Sequence, residues 1–151
     1  MSPTMPSDRT TTVLLVEDDP AHAEIVRRNF SAVGMPYCME HVSDGETALD
    51  YLRHTGRYQG YAPARPGLVL LDLRLPRLGG LEVLAAIKGD EKLGSIPVVA
   101  LTTSSANEDV EQAYLLGVNS YVVKPFERDV FEELLTTLGR YWLQWNEQPR
   151  A

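Results

Sequence analysis

Val13-Leu14-Leu15-Val16-Glu17-Asp18-Asp19-Pro20 is the stretch on which the reading of this chain turns. An apolar run ends abruptly in Glu17, Asp18 and Asp19. The run is β-rich and too short for a helix, so it reads as a strand. Asp19 followed by Pro20 reads as an N-cap with proline at the first helical position. A strand therefore feeds straight into a helix, with acidic residues at the junction. Alone, those acids could simply complement the helix dipole. The same pattern, however, recurs along the chain. Asp72 follows Leu68-Val69-Leu70-Leu71, and Thr102 follows Val98-Val99-Ala100-Leu101. Lys124 follows Tyr121-Val122-Val123 and precedes Pro125.

Helical patterns fill the intervals. Ile25, Val26, Phe30 and Val33 recur at helical spacing until Gly34. Tyr37–Val42 reads as a second strand. Ser43 and Glu46 have capping-box spacing ahead of the apolar stripe Ala48, Leu49 and Leu52. Thr55–Gly67, rich in glycine and proline, reads as a long loop. A short helix over Leu81–Lys88 follows Gly79-Gly80. Ser105 and Glu108 repeat the capping-box spacing before a helix that stops at Gly117, and a last helix starts near Arg128. Strands and helices alternate strictly. Alternation predicts an α/β fold: a doubly wound, five-stranded parallel sheet with five helices. Strand runs apolar on both faces suit a parallel sheet covered on both sides. Ligands of such sheets sit outside the carboxyl ends of the strands. Glu17, Asp18, Asp72, Thr102 and Lys124 all lie at those ends.

With 151 residues the chain has room for one domain of ordinary core size. The net charge of -7 argues against direct binding to DNA or RNA, which a basic face would serve. Cys38 is the only cysteine, so no internal disulfide forms, as suits a cytoplasmic protein. Residues 1–11 read as a loose polar tail without the apolar core of a signal peptide. No apolar run approaches the ~20 residues of a membrane span.

The clustered acids dictate a chemistry. Carboxylates that share a site raise one another's pKa unless a cation neutralises them. Oxygen donors with room for water suit magnesium. Asp72 is the candidate nucleophile, since a carboxylate can attack phosphorus and form an aspartyl phosphate. Lys124 offers a compact positive charge to a phosphoryl oxygen, and the Thr102 hydroxyl offers a hydrogen bond. The Lys124-Pro125 bond could be cis or trans. His22, His41 and His54 are dispersed, lack metal-ligand spacing and read as surface or partly packed side chains.

These residues carry a resemblance. Val16-Glu17-Asp18-Asp19-Pro20, Asp72-Leu73-Arg74-Leu75-Pro76 with Gly80, Leu101-Thr102 and Tyr121-Val122-Val123-Lys124-Pro125-Phe126 resemble the receiver domain of two-component response regulators. The resemblance runs from about Thr11 to Gly139 and implies a flavodoxin-like receiver fold over residues 12–140. It implies a phosphoacceptor signalling protein, not a turnover enzyme, in which Asp72 takes a phosphoryl group from a sensor histidine kinase. Asp18 would bind Mg2+ directly, with Mn2+ as a substitute, and Glu17 would act mainly through water. Asp72 and the backbone carbonyl of Arg74 would complete the protein ligands. Thr102 and Tyr121 would form the switch pair. A histidine phosphotransfer protein is a further implied partner. The Thr55–Gly67 insert, Leu101-Thr102-Thr103-Ser104 and the aromatic C-terminus are similar to small stand-alone regulators paired with bacterial phytochromes. Arg74 and Thr103 depart from the family's usual choices. A long cation at Arg74 is expected to slow water's attack on a phosphoaspartate.

Phe131, Leu135, Leu138, Trp142 and Trp145 follow one helical stripe. Residues 141–151 read as an aromatic extension of the last helix, and Gly139 weakens that helix. Clustered terminal aromatics favour an interface, so homodimerisation through the last helix is preferred over docking on the same subunit. Two other function classes compete. An aspartate-nucleophile phosphatase would need a second Asp where Arg74 stands, and a non-phosphorylated binding module would not need the full polar set.

Overall fold

The strand runs form one parallel sheet in the order β2-β1-β3-β4-β5. The computed structural model describes residues 10–61 and 63–149, so most of the expected N-terminal tail lies outside the described residues. In chain order the elements are β1 (Thr11–Val16), α1 (Pro20–Ser31), β2 (Tyr37–Val42), α2 (Gly45–Arg53), β3 (Leu68–Leu71) and α3 (Gly80–Lys88). Then come β4 (Val98–Thr102), α4 (Asn107–Leu115), β5 (Ser120–Val123) and α5 (Arg128–Gly139). The Thr55–Gly67 loop contains a 3-10 turn, Gly56–Tyr58. Among the described residues no helix is long and apolar enough to cross a membrane.

Side-chain alternation along each strand divides the core in two. Leu14, Val16, Val69, Leu71, Val98 and Ala100 face α2 and α3. Val13, Leu15, Leu68, Leu70, Val99 and Leu101 face α1 and α5. β1, β3 and β4 are sandwiched between these layers, which explains why their sequences are apolar on both faces.

The helix starts depart in part from expectation. α1 begins as read: the Asp19 side chain accepts the Ala21 amide at 2.9 Å, with Pro20 in the first turn. α2 is capped by Asp44, not Ser43, because the Asp44 carboxylate accepts the Thr47 amide at 2.8 Å. α4 has Ala106 at its N-cap and no capping side chain, so the Ser105–Glu108 box does not form. Among the described residues no peptide bond is cis, so Lys124-Pro125 is trans.

The end of α5 also departs from the expected stripe. Gly139 does more than weaken the helix: a Cβ there would lie 2.8 Å from Val33 Cγ2, so the glycine lets α5 approach α1. Beyond it the chain widens into a π-helical turn, Arg140–Trp145. The wider turn rotates the later residues off the 3.6-residue stripe. Leu143 becomes buried and Trp142 half-buried against the α1–α5 core, while Trp145 is 70% exposed. Gln148 then donates from Nε2 to Thr11 Oγ1 at 3.3 Å, which ties the chain end back to the start of β1.

Candidate functional site

Register assembles the site. β1 and β3 pair in parallel with Val16 opposite Leu71, so Glu17 and Asp72 emerge side by side. Thr102 pairs with Val123 across β4 and β5, and the Lys124 amide donates to the Thr102 carbonyl at 2.8 Å. The structure thus brings Glu17, Asp18, Asp72, Thr102 and Lys124 together at the carboxyl ends of the strands. Glu17, Asp72, Thr102 and Lys124 are buried, and Asp18 faces solvent.

Each buried charge has partners. Lys124 Nζ donates to Glu17 Oε1 at 2.5 Å and to Asp72 Oδ2 at 3.3 Å. The other Glu17 oxygen accepts the Asp19 amide at 3.1 Å. Asp72 Oδ1 accepts the Arg74 amide at 3.0 Å. Two carboxylates around one ammonium leave a surplus of negative charge in a low-dielectric place. Burial pushes the Glu17 carboxyl up to about 7, against the pull of Lys124. Burial acts on Asp72 too, but the Arg74 amide, the Lys124 charge and the Thr102 hydroxyl outweigh it and hold Asp72 below the usual carboxylate range. Asp72 therefore keeps the ionised form that a nucleophile requires.

Oxygen atoms of Glu17, Asp18 and Asp72 lie within 4.8 Å of one another. Hard oxygen donors this close, one of them exposed, fit a divalent cation of the magnesium type that retains several waters.

Gly80 keeps the loop after β3 tight. A Cβ at that position would collide with the Asp72 carbonyl oxygen and the Leu73 Cα, so only glycine allows α3 to start against the backbone of the site. On the opposite wall Ser104 gathers the loop after β4. Its amide donates to Thr102 Oγ1 at 3.3 Å, and its carbonyl accepts the Tyr121 hydroxyl at 2.8 Å. Its hydroxyl donates to Asp109 Oδ2 at 2.5 Å in the first turn of α4. The Arg74 guanidinium bridges the mouth of the crevice, with Nη2 3.1 Å from Ser104 Oγ and 2.9 Å from Asp109 Oδ2.

An aspartate at the end of a parallel strand, flanked by two acids, a lysine and a hydroxyl, matches a known family pattern. The family model for the response regulator receiver domain covers residues 13–136. This chain belongs to that family. The receiver family consists of signalling phosphoacceptors. Among its relatives, the probable methanogenesis regulatory protein FilR2 of Methanothrix harundinacea is 44% identical over 137 residues, 91% of this chain and 86% of that protein. The response regulator Rcp1 of Synechocystis sp. is 37% identical over 140 residues, 92% of this chain and 93% of Rcp1. The crystal structure of Mn2+-bound Rcp1 matches with a TM-score of 0.88 at 35% identity, over 93% of this chain and 99% of that one. The phosphorylated cyanobacterial phytochrome response regulator RcpA matches with the same TM-score of 0.88, 35% identity and coverage of 93% and 99%.

Two participants in this receiver site were not legible in sequence. Ser104 bonds to Thr102, Tyr121, Asp109 and Arg74, yet a serine after Thr102-Thr103 carries no spacing signal. His22, read as a surface or partly packed residue, accepts at Nδ1 from Lys124 Nζ at 2.9 Å. A cavity of about 460 Å³ lined by Tyr51, Arg53, His54, Arg65 and Lys92 lies at the opposite, amino end of the strands and takes no part in this chemistry.

Proposed function

We propose that this protein is a cytoplasmic response regulator that accepts a phosphoryl group on Asp72 from a sensor histidine kinase and signals through protein contacts. The observation that carries the reading is the Asp72 carboxyl group held beside Lys124 among converging acidic side chains at the sheet edge. Glu17, Asp18, Asp72 and the backbone carbonyl of Arg74 would hold the magnesium ion. When bound, the ion offsets negative charge on the attacking carboxylate and the phosphoryl oxygens. An Asp72 oxygen forms the new bond to phosphorus while the bond from phosphorus to the histidine nitrogen breaks, and that nitrogen leaves with the bond's electron pair. The phosphoryl oxygens then face the Lys124 ammonium and the Thr102 hydroxyl.

Arrival of the phosphoryl group is read by Thr102 and Tyr121. Moving the Thr102 hydroxyl toward the phosphate breaks its bond from the Ser104 amide, and Ser104 also anchors the Tyr121 hydroxyl. One loop thus links both switch residues. The phosphatase alternative lacks support at its deciding position, since the side chain two residues after Asp72 is a guanidinium committed to Ser104 and Asp109.

The kinase is proposed to be of the phytochrome type, on the likeness to RcpA and the shared length. FilR2 favours a second reading, a kinase with another stimulus, because the identity there is 44%. A phosphotransfer panel with a bacteriophytochrome kinase and unrelated histidine kinases separates the two.

The test of the site is direct. Incubation with magnesium and acetyl phosphate should add one phosphoryl mass that is acid-stable and base-labile. Asp72→Asn should show none. A gain that persists in the variant refutes the assignment, and no gain in the wild type favours a non-phosphorylated binding module.

A further inference from the structure

We propose that His22 is a positioning residue for the phosphoryl-transfer site, holding the Lys124 ammonium in place through its Nδ1 atom. This rests on the phosphoacceptor reading above but extends it to a residue outside the family's usual set.

The geometry is specific. Lys124 Nζ has three N–H bonds to give. Two go to carboxylates, Glu17 Oε1 and Asp72 Oδ2, and the third meets His22 Nδ1 at 2.9 Å. His22 supplies the one nitrogen in that set. An ammonium donates and cannot accept, so Nδ1 presents its lone pair and the ring proton sits on Nε2. Nε2 lies 3.7 Å from Asp19 Oδ2, the residue that caps α1. The imidazole also meets the Phe131 ring of α5 edge-on, with centroids 5.9 Å apart and planes at 69°. The lysine bond and the phenylalanine ring therefore constrain the imidazole, with Asp19 beside its outer nitrogen.

Such constraint has a consequence for transfer. On phosphorylation the Asp72 oxygens become part of an acyl phosphate, and Lys124 must redirect one donor from Asp72 Oδ2 to a phosphoryl oxygen. Bonds to Glu17 and His22 keep Nζ at the crevice during that turn. Without the His22 acceptor the ammonium is held by Glu17 alone while it turns. A lysine carries a flexible four-carbon stem, so losing one of two anchors costs orientation more than it would for a planar arginine.

Two variants test this in the full chain. His22→Leu removes the acceptor but still packs on Phe131. His22→Asn restores an acceptor two bonds from Cβ, as Nδ1 is. With acetyl phosphate and magnesium, His22→Leu should phosphorylate about tenfold more slowly, the kinetic equivalent of one lost charge-assisted hydrogen bond. His22→Asn should recover most of the rate. Equal rates for wild type and His22→Leu overturn the proposal, and so do equally slow rates for His22→Leu and His22→Asn, which would make the ring's packing the cause. A nitrogen–proton NMR spectrum of the lysine ammonium groups supplies a readout independent of phosphorylation. The Lys124 signal should be protected in wild type and His22→Asn and lost by exchange in His22→Leu. If wild type takes no phosphoryl group, the functional reading fails while the spectrum still decides the role of His22. A Lys124 signal unchanged in His22→Leu overturns it.

Discussion

Asp72 and Glu17 show how neighbouring identical groups acquire different properties from their partners. Both are buried carboxylates within reach of Lys124. Each also accepts a backbone amide from the turn that follows it. At Asp72 burial is outweighed by the Arg74 amide, Lys124 and the Thr102 hydroxyl, and its pKa falls, whereas at Glu17 burial outweighs Lys124 and the Asp19 amide. The residue types and their positions were legible in sequence, because charge at the end of an apolar strand is rare enough to signal a site. His22 was not legible, because its partner Lys124 is 102 positions away. Nothing local distinguishes a histidine that binds a lysine from one that faces water. Arg74 belongs to this scale too. Its guanidinium spans the crevice mouth to Ser104 and Asp109, and we propose that it narrows the approach of water. Arg74→Asn should therefore lose its phosphoryl group severalfold faster after donor removal, as followed by intact mass. Faster decay in the wild type would contradict that role.

Elements begin and end where side chains satisfy the backbone, and here sequence spacing was a partial guide. Asp19-Pro20 identified the start of α1 because both signals act on adjacent residues. At α2, Ser43 and Asp44 are both competent caps, and only the path of the chain out of β2 selects Asp44. The bond from the Thr47 amide lowers the Asp44 pKa from its ordinary 3.8, with burial opposing. Such a group contributes stability at pH values above 3.8, and that contribution is lost as the pH falls through the lower folded value. Asp44→Ala should cost about 1 kcal/mol at neutral pH. The gap between variant and wild type in urea unfolding should shrink as the pH is lowered below 3.8. A gap that stays constant would show that the charged cap is not responsible. α4 offers the contrasting case: its first turn is held by the Ser104–Asp109 and Arg74–Asp109 contacts, which join three separate segments and leave no capping-box trace.

At the scale of the molecule the open question in sequence was what the aromatic C-terminus covers. The π-helical turn splits it. Leu143 and part of Trp142 complete the core between α1 and α5, whereas Tyr141 and Trp145 point outward. Leu143→Ala should cost about 2–4 kcal/mol in chemical unfolding, within the range for emptying a buried leucine site. Trp145→Ser should leave folding stability within about 0.5 kcal/mol. We propose that the outward aromatics serve a homodimer through α5. Sedimentation should then give a smaller mass for Trp145→Ser and for a chain ending at Leu138 than for the full protein. Equal masses would remove the dimer role of this segment.

By itself the sequence determined the alternation of strands and helices, the parallel sheet and the identity of the acids, hydroxyl and lysine at the strand ends. Those signals are short-range: a run, a period, a cap. Tertiary structure alone decided which neighbours those groups have. It placed His22 against Lys124, set Ser104 between Thr102 and Tyr121 and rotated Leu143 inward past Gly139. Each outcome depends on register across the sheet and on the approach of helices far apart in the chain, and no local pattern records such distances.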